Sequence, residues 1–295
     1  MNREMAYLLG MICGNGEIRR GAGETTVSIS IPHRKLVTES DGDVLVYVRA
    51  SITDIRDVLE PLIGTGMRFT QQRKCSILSF TKPNDEYLMR EILRYVGSAA
   101  SHENIRIDDE VFSFTHDQKI SFLQGFADVT GHIRRSNYCF EKYKHRVYLE
   151  VPHNWYLVVD ICRLLRDVDI PVQAIDWAHP NMRDGHLKKY NAGQEQFWKK
   201  EHQIKIWANE FLPVGFAVLH KKEALAAFAR ELTDGIRAEG RVPEEVTHQY
   251  YWQTPGRGKY KPPHPGEDDP FIPPEIRGRH YNSWKQIAED LGYRE

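Results

Sequence analysis

Two polar residues, Asn15 and Thr130, stand in the same unusual local context and are the first candidates for a functional site. Each ends an apolar run and is followed at once by a glycine, in AYLLGMICGNGEI at 6–18 and in ISFLQGFADVTGHI at 120–133. Asparagine offers an amide and threonine a hydroxyl, so both form hydrogen bonds without bringing a charge. Because the arrangement occurs twice, we expect one shared site to which each run contributes one residue.

Each run also carries an internal glycine within a predicted helix. Gly10 and Gly14 are four residues apart, so they lie on one face of that helix. A face without side chains allows two helix backbones to approach closely. We therefore expect residues 6–16 and 121–131 to form adjacent helices that cross near Gly10 and Gly125.

The second glycine of each run, Gly16 or Gly131, is predicted to end its helix. Glycine readily adopts the left-handed conformation that often follows the last helical turn, and we expect that conformation at both positions. Asn15 and Thr130 would then lie at the helix ends and point at whatever lies below the paired helices.

The residues after the first run predict two strands, a helix, two more strands and a helix. Alternation of apolar and polar residues and enrichment in Val, Ile and Thr indicate the strands, and apolar residues at helical spacing indicate the helices. In chain order the segments are GEIRRGAGETTVSISI, DVLVYVRAS, ITDIRDVLEPLIG, MRFTQQ, CSILSFT and NDEYLMREILRYVG.

The residues after the second run predict the same order of elements. In chain order the segments are HIRRSNYCF, HRVYLEV, NWYLVVDICRLLRDV, VQAIDWAHP, HQIKIWAN and HKKEALAAFARELTDGI. Such an internal repeat predicts an α+β fold of two pseudo-symmetric αββαββα repeats packed through the paired helices. We expect the repeats at 1–116 and 117–235, followed by a Pro/Gly-rich extension with a terminal helix at 236–295.

Composition limits the function classes. The 295 residues are 41% hydrophobic and carry a formal net charge of −1, which argues against a uniformly basic nucleic-acid-binding protein but allows a local basic patch. No run of eighteen apolar residues occurs, and the N-terminus lacks the pattern of a secretory signal. We therefore expect no membrane association and a cytoplasmic location.

The two runs resemble the paired LAGLIDADG motifs of homing endonucleases, here LLGMICGNG at 8–16 and LQGFADVTG at 123–131. The resemblance covers roughly residues 1–235, because each motif is followed by the αββαββα order of that family. It implies a monomer in which the motif helices pack at the centre and the strands of both repeats form a saddle on double-stranded DNA. Strands fit the major groove, where side chains of period two reach base edges.

The resemblance also implies roles for the residues at the helix ends. In active members of the family these positions are usually acidic and hold divalent cations, normally Mg²⁺, against the scissile phosphates. Asn15 and Thr130 are therefore the catalytic and metal-binding positions, but they replace two negative charges by none. Glu17 is a possible substitute ligand. Asp128 lies about 200° around the helix from Thr130 and should point away.

Basic residues complete the implied site. The family places a basic residue near the phosphates, and Lys82 and Lys221 are the candidates for that role. The predicted strands carry further basic residues, whereas the predicted helices carry many acids. The predicted DNA contacts are Arg19, Arg20, Arg34, Lys35, Arg68, Arg73 and Lys74 in the first repeat, and Arg134, Arg135, Lys142, Lys144, Arg146, Lys188, Lys189, Lys199 and Lys200 in the second.

These observations favour a double-stranded DNA-binding protein of homing-endonuclease type whose cleavage activity is lost or weak. Two alternatives stay open. One is an active sequence-specific DNA endonuclease, homing or restriction-like, that hydrolyses phosphodiesters with Mg²⁺. The other is an RNA maturase built on the same fold.

Overall fold

Two copies of one element order, αββαββα, make up most of the chain that the structure describes. The structure is a computed structural model, and it describes residues 1–38, 42–97, 99–135, 145–151, 154–172, 174–176 and 202–239. The first repeat comprises α1 (Arg3–Asn15), β1 (Gly16–Arg20), β2 (Glu24–Pro32), α2 (Val44–Ile63), β3 (Arg68–Gln71), β4 (Cys75–Pro83) and α3 (Tyr87–Val96). The second comprises α4 (His116–Thr130), β5 (Gly131–Arg135), β6 (His145–Val151), α5 (Trp155–Asp167), β7 (Ala174–Asp176), β8 (His202–Trp207) and α6 (Leu219–Glu239). The predicted α+β fold with two repeats is confirmed.

The two sheets have the same strand order and the same register. The orders are β1-β2-β4-β3 and β5-β6-β8-β7, and every neighbouring pair is antiparallel. In sheet 1, Gly16 lies opposite Ile29, which lies opposite Leu78. In sheet 2 the corresponding row is Gly131, Leu149 and Ile204. Where both sheets have paired strands, a residue of one sheet therefore has a register-equivalent residue in the other.

The two motif helices α1 and α4 pack against each other at their internal glycines. A Cβ atom added to Gly10 would lie 1.9 Å from the carbonyl oxygen of Phe122, and one added to Gly125 would lie 1.9 Å from the carbonyl oxygen of Tyr7. Both distances are far inside van der Waals contact. The predicted crossing near these glycines is therefore confirmed, and only glycine fits at either position.

The predicted conformation of Gly16 and Gly131 is wrong. Their φ values are −90° and −91°, in the extended region, so α1 runs straight into β1 and α4 straight into β5. Glycine is required there for a steric reason instead. A Cβ atom would lie 2.6 Å from the carbonyl oxygen of Ile12 at Gly16, and 2.5 Å from that of Ala127 at Gly131.

The segment DVLVYVRAS, predicted as a strand, is the first half of helix α2. Asp43 caps this helix, because its side chain accepts a hydrogen bond from the backbone N–H of Leu45 at 2.9 Å. The strand partner of β1 is the segment before it, Glu24–Pro32. The buried side chains of α2 recur every three or four residues, a spacing that fits a helix and not a strand: they are Val48, Ser51, Ile55, Leu59 and Ile63.

One predicted segment and one predicted absence concern the limits of this fold. The Pro/Gly-rich extension with its predicted terminal helix lies outside the described residues from 240 onward. Among the helices that the structure does describe, none is long and apolar enough to cross a membrane.

Replacement of Gly10 by alanine tests the helix contact. Alanine in a helix interior normally stabilises by about 1 kcal/mol relative to glycine, whereas here its methyl group would force the two backbones apart. We expect Gly10→Ala to lower the free energy of unfolding by roughly 2–3 kcal/mol, as overpacking does elsewhere. Chemical denaturation of the full-length chain measures this change.

Gly23→Ala is the matched control, because a Cβ atom there meets nothing within 4 Å. We expect it to change stability by no more than about 0.5 kcal/mol. A Gly10→Ala protein as stable as the wild type would contradict the close helix crossing.

Candidate nucleic-acid interface

Each sheet has one face against the helices and one face directed away from them. Strand side chains alternate between the two faces. In β2 the buried side chains are Thr25, Val27, Ile29 and Ile31, and the partly exposed side chains between them define what we call the open face. In the other strands the open face comprises the register-equivalent positions, which in β6 and β8 of sheet 2 are largely buried.

The open face of sheet 1 is lined by small hydroxyl side chains. The hydroxyls of Thr26 and Thr81 lie 2.8 Å apart and hydrogen-bond across the strands. Hydroxyls donate and accept, so such a face can form hydrogen bonds with any base edge and discriminates weakly between bases. Its centre consists of Thr26, Ser28, Ser30, Ser79 and Thr81, with Ile77 among them.

Exposed basic side chains flank this hydroxyl surface. Arg19 in β1 and Arg68 in β3 are exposed and lie on the open face at opposite edges of the sheet, opposite Thr26 and Ser79 in the register. Arg73 and Lys74 are exposed at the tip of the β3–β4 hairpin. This arrangement of uncharged centre and cationic edges suits a duplex whose phosphates lie on either side of a groove.

The open face of sheet 2 is built differently from the same register positions. The guanidinium of Arg146 lies 4.1 Å from the ring centroid of Trp207, and that of Arg134 lies 4.7 Å from the ring of Tyr148. Arg146, Tyr148 and Trp207 are 4%, 2% and 3% exposed. The prediction that Arg146 contacts DNA is therefore not met in this structure, where its guanidinium is buried against an aromatic ring. The equivalents of Thr26, Ser28, Ser30 and Ser79 are Arg146, Tyr148, Glu150 and Lys205, respectively.

The two motif ends are neighbours. A Cβ atom on Gly14 would lie 2.9 Å from the methyl carbon of Thr130, so the last turns of α1 and α4 are in contact. Thr130 is buried, and its hydroxyl donates a hydrogen bond to the carbonyl oxygen of Phe126 at 2.7 Å. Asn15 is half-buried, and the described residues offer its side chain no hydrogen-bond partner.

The carboxylates nearest the motif ends are already engaged. Glu17 lies exposed on the open face and accepts a hydrogen bond from Nε of Arg19 at 3.0 Å. Asp128 is fully buried and accepts hydrogen bonds from the Tyr7 hydroxyl at 2.8 Å and from the Ala217 backbone N–H at 3.0 Å. Because Tyr7 lies about 12 Å along α1 from its last residue, Asp128 is directed away from the motif ends.

The donor set at the motif ends does not fit Mg²⁺. This cation prefers carboxylate oxygens and holds its ligands in octahedral geometry. Asn15 and Thr130 offer one amide and one hydroxyl, and the hydroxyl proton of Thr130 already bonds to Phe126. Among the described residues, no group of three or more His, Cys, Asp or Glu side chains converges on a possible metal position.

Neither lysine predicted near the phosphates lies at the open face. Lys82 is opposite Thr25, a buried residue on the helix side of sheet 1, and pairs with Glu86 at 3.0 Å. Lys221 is completely buried below the end of α4. Its Nζ lies 3.3 Å from the carbonyl oxygen of Gly131 and 3.7 Å from Oδ1 of Asp128. Both lysines are therefore placed for structural roles, which corrects the prediction.

Lys221 and Asp128 form a buried ion pair that joins α6 to α4. Burial lowers the pKa of Lys221 to about 8, although the negative charge of Asp128 partly opposes this effect. Burial also raises the pKa of Asp128, against the opposing effects of Lys221 and the Tyr7 hydroxyl. The ammonium lies beside the last carbonyl groups of α4, where the helix dipole favours a positive charge.

Four side chains from both repeats meet at their boundary. We call Arg34, Lys35, His132 and Glu150 the boundary cluster. Lys35 is buried, and its Nζ bonds to the carboxylate of Glu150 and lies 3.2 Å from Nδ1 of His132. Lys35 was predicted to contact DNA, but in the structure it bonds to the other repeat. His132 and Glu150 are not among the residues predicted from the sequence, because nothing in their spacing from 34–35 predicts this contact.

The remaining predicted DNA contacts fall into two groups. Arg20 and Arg135 lie at strand ends, at positions that belong to the helix side of their sheets. The guanidinium of Arg20 bonds to the carbonyl oxygen of Gly97. Both arginines are exposed. The others lie outside the described residues: Lys142, Lys144, Lys188, Lys189, Lys199 and Lys200.

Comparison with known proteins gives matches to solved structures alone. No protein-family model matches the chain, and no curated protein matches it. I-DmoI in complex with DNA and Ca is 14% identical, with a TM-score of 0.39, over 72% of this chain and 87% of that chain. The LAGLIDADG meganuclease I-AabMI bound to uncleaved DNA is 11% identical, with a TM-score of 0.39, over 83% and 95%. The chain resembles LAGLIDADG homing endonucleases in structure.

A third solved structure of similar fold is full-length DUF199/WhiA from Thermatoga maritima. It is 14% identical, with a TM-score of 0.40, over 82% of this chain and 62% of that chain. The resemblance to the LAGLIDADG proteins and to this one concerns the fold.

Removal of the Lys221 charge tests the buried pair below the LAGLIDADG-like helix α4. Lys221→Met leaves the Asp128 carboxylate buried without its cation, and we expect the free energy of unfolding at pH 7 to fall by about 3–5 kcal/mol. Thermal or chemical denaturation measures the loss. Adding Asp128→Asn to this variant should restore part of it, because no buried charge then remains.

Lys222→Met is the control, since Lys222 is the neighbouring residue and is exposed. Its effect should stay within about 0.5 kcal/mol. If Lys221→Met and Lys222→Met were equally mild, the pair with Asp128 would not stabilise the fold.

Proposed function

We propose that this protein binds double-stranded DNA through the open face of sheet 1 and the adjoining boundary between the repeats, and does not cleave it by metal-dependent hydrolysis. The observation that carries the proposal is the pair of uncharged motif ends. Asn15 and Thr130 end two tightly packed helices at the centre of the two repeats, where a nuclease of this design would need carboxylates. We further propose a monomer, since one chain supplies both repeats, and a cytoplasmic location.

The dimensions of sheet 1 support duplex binding. Strands β2 and β4 contain nine residues each and therefore extend about 30 Å, which corresponds to roughly nine base pairs of duplex. The major groove admits a two-stranded β-ribbon. The exposed Arg19 and Arg68 at the sheet edges are then available to phosphates, while the hydroxyl surface faces the bases.

The electrostatics of the centre support the loss of cleavage. A divalent cation lowers the pKa of its water and stabilises the leaving oxygen only if anionic ligands hold it in place. Glu17 is bound by Arg19, and Asp128 is bound by Tyr7 and lies beside Lys221. The described residues around the motif ends therefore supply no free carboxylate to replace the two that are missing.

Charge reversal on the open face tests DNA binding. The double variant Arg68→Glu with Arg73→Glu removes two cationic groups near the expected phosphates. We expect its affinity for duplex DNA to fall at least about tenfold, and the dependence of affinity on salt to weaken by about one unit of slope per lost phosphate contact. Fluorescence anisotropy over a range of salt concentrations measures both quantities.

Arg49→Glu with Arg90→Glu is the matched control, because both arginines are exposed on helices and the change in net charge is the same. It should lower the affinity far less, through long-range electrostatics alone. Equal losses in the two double variants would refute the assignment of the open face.

Restoring the carboxylates tests the loss of cleavage. We expect the wild type to leave supercoiled plasmid intact in Mg²⁺ or Mn²⁺, and Asn15→Asp with Thr130→Asp to nick or linearise it, because two anionic ligands then flank the helix ends. Gel electrophoresis of the plasmid gives the rate. The Asn15→Ala with Thr130→Ala variant should stay inactive.

Two outcomes would favour the alternatives. Robust wild-type cleavage that survives Asn15→Ala and Thr130→Ala would indicate an active endonuclease whose site lies elsewhere. Tighter binding to structured RNA than to duplex DNA would favour a maturase.

A further inference from the structure

The boundary cluster is a set of hydrogen-bond donors arranged around one carboxylate. Glu150 accepts from Nζ of Lys35 and lies 3.0 Å from Nη2 of Arg34, both through Oε2. Its Oε1 accepts from Nε2 of Gln203 at 3.1 Å. The carboxylate is 5% exposed, whereas the Arg34 side chain is 49% exposed. Glu150 therefore holds Lys35 inside the protein while much of the Arg34 guanidinium stays accessible.

The contact between Lys35 and His132 determines the tautomer of the histidine. An ammonium group has three protons and no acceptor, so Nζ of Lys35 donates and Nδ1 of His132 accepts. Burial lowers the pKa of His132 well below its ordinary value, and the charge of Lys35 lowers it further. The ring is therefore neutral with its proton on Nε2, and Nε2–H is a hydrogen-bond donor.

The ring is held in place and its Nε2 is available. It stacks on Tyr148, with centroids 5.3 Å apart and an interplanar angle of 12°, which fixes its orientation. The described residues provide Nε2 with no hydrogen-bond partner, and 15% of the side chain is exposed. A buried ring that is oriented on one side by a lysine and on one face by a tyrosine presents a preorganised donor.

The position of His132 places this donor beside the motif ends. It follows Gly131 directly and lies on the open face, at the register position that Glu17 occupies in the first repeat. At equivalent positions repeat 1 therefore carries the acceptor Glu17 and repeat 2 carries the donor His132. Counting Arg34, Lys35 and Glu150 with a neutral ring, the boundary cluster has a net charge of +1.

We infer that Arg34 and His132 form a subsite for one phosphodiester group of duplex DNA, bound without a divalent cation. Lys35 and Glu150 are positioning residues of this subsite. The inference rests on the proposed function, because it names a contact through which the protein binds DNA. Phosphodiester oxygens accept hydrogen bonds and carry a negative charge, so they match a guanidinium and an imidazole N–H, neither of which can accept. The two groups of the cluster that could bind a metal cation, the Glu150 carboxylate and Nδ1 of His132, are both already bonded to Lys35.

The experiment compares two amides in place of His132 in the full-length protein. The side-chain nitrogen of glutamine reaches the position of Nε2, whereas that of asparagine reaches only the position of Nδ1. The probe is a mixed-sequence duplex of about 20 base pairs, roughly twice the length that one nine-residue strand spans, in buffer with EDTA. We expect His132→Gln to bind within about threefold of the wild type, and His132→Asn about tenfold or more weaker, as the loss of a hydrogen bond to a charged group.

A second pair of variants keeps the test valid if both His132 variants unfold. Arg34→Gln changes a half-exposed side chain and should weaken binding about tenfold, and it should reduce the salt slope by about one. Arg90→Gln, on an exposed helix position, should change neither quantity. Nitrogen-15 NMR of the wild-type imidazoles, with His132→Gln for assignment, should show His132 neutral with its proton on Nε2 at pH 7.

Several results would overturn the subsite. Equal affinities of the Gln and Asn variants, with DNA binding otherwise intact, would leave His132 a structural contact between the repeats and would not affect the proposed function. A proton on Nδ1 of His132 would also reject the subsite without affecting the proposed function. The same holds for an Arg34→Gln protein that binds DNA as tightly as the Arg90→Gln protein does. Wild-type binding that disappears in EDTA and returns with Mg²⁺ would show a metal-dependent contact instead. Absence of any wild-type DNA binding would reject the proposed function and the subsite together.

Discussion

The close packing of α1 against α4 is the constraint on which the rest of this structure depends. At Gly10 and Gly125 the helices approach until a single methyl group would overlap a carbonyl oxygen. Because each helix continues without a turn into the first strand of its sheet, the helix contact also sets where the two sheets begin. The motif ends, the two open faces and the boundary cluster are all positioned by this one contact.

The shared register of the two sheets makes their chemical difference visible. At equivalent positions sheet 1 has small hydroxyls and sheet 2 has long cationic and aromatic side chains that stack on one another. A hydroxyl surface forms single hydrogen bonds with many partners, whereas Arg146 and Tyr148 are already engaged within the protein. The same backbone thus presents hydroxyl groups on the open face of sheet 1, and side chains that are already engaged within the protein at the equivalent positions of sheet 2.

Charge at the centre lies at the repeat boundary, whereas the helix ends Asn15 and Thr130 carry none. Carboxylates at positions 15 and 130 would repel each other unless a cation lay between them, and the uncharged pair here removes that requirement. Lys35 and Arg34 bring positive charge close by, and Glu150 compensates part of it within the protein.

The sequence by itself determined the internal repeat, the glycine crossing of the motif helices and the uncharged ends, because these depend on spacing along one chain. At the start of α2 the β-branched residues favour a strand, but the segment is helical and the burial of Val48 and Ser51 follows the helical period. Only the tertiary structure decided which basic residues are accessible, since a lysine pattern does not reveal its partners. Lys35 bonds to Glu150 across 115 residues of sequence, and Lys221 lies buried beside Asp128. Such contacts arise when separate elements pack together, and no local pattern encodes them.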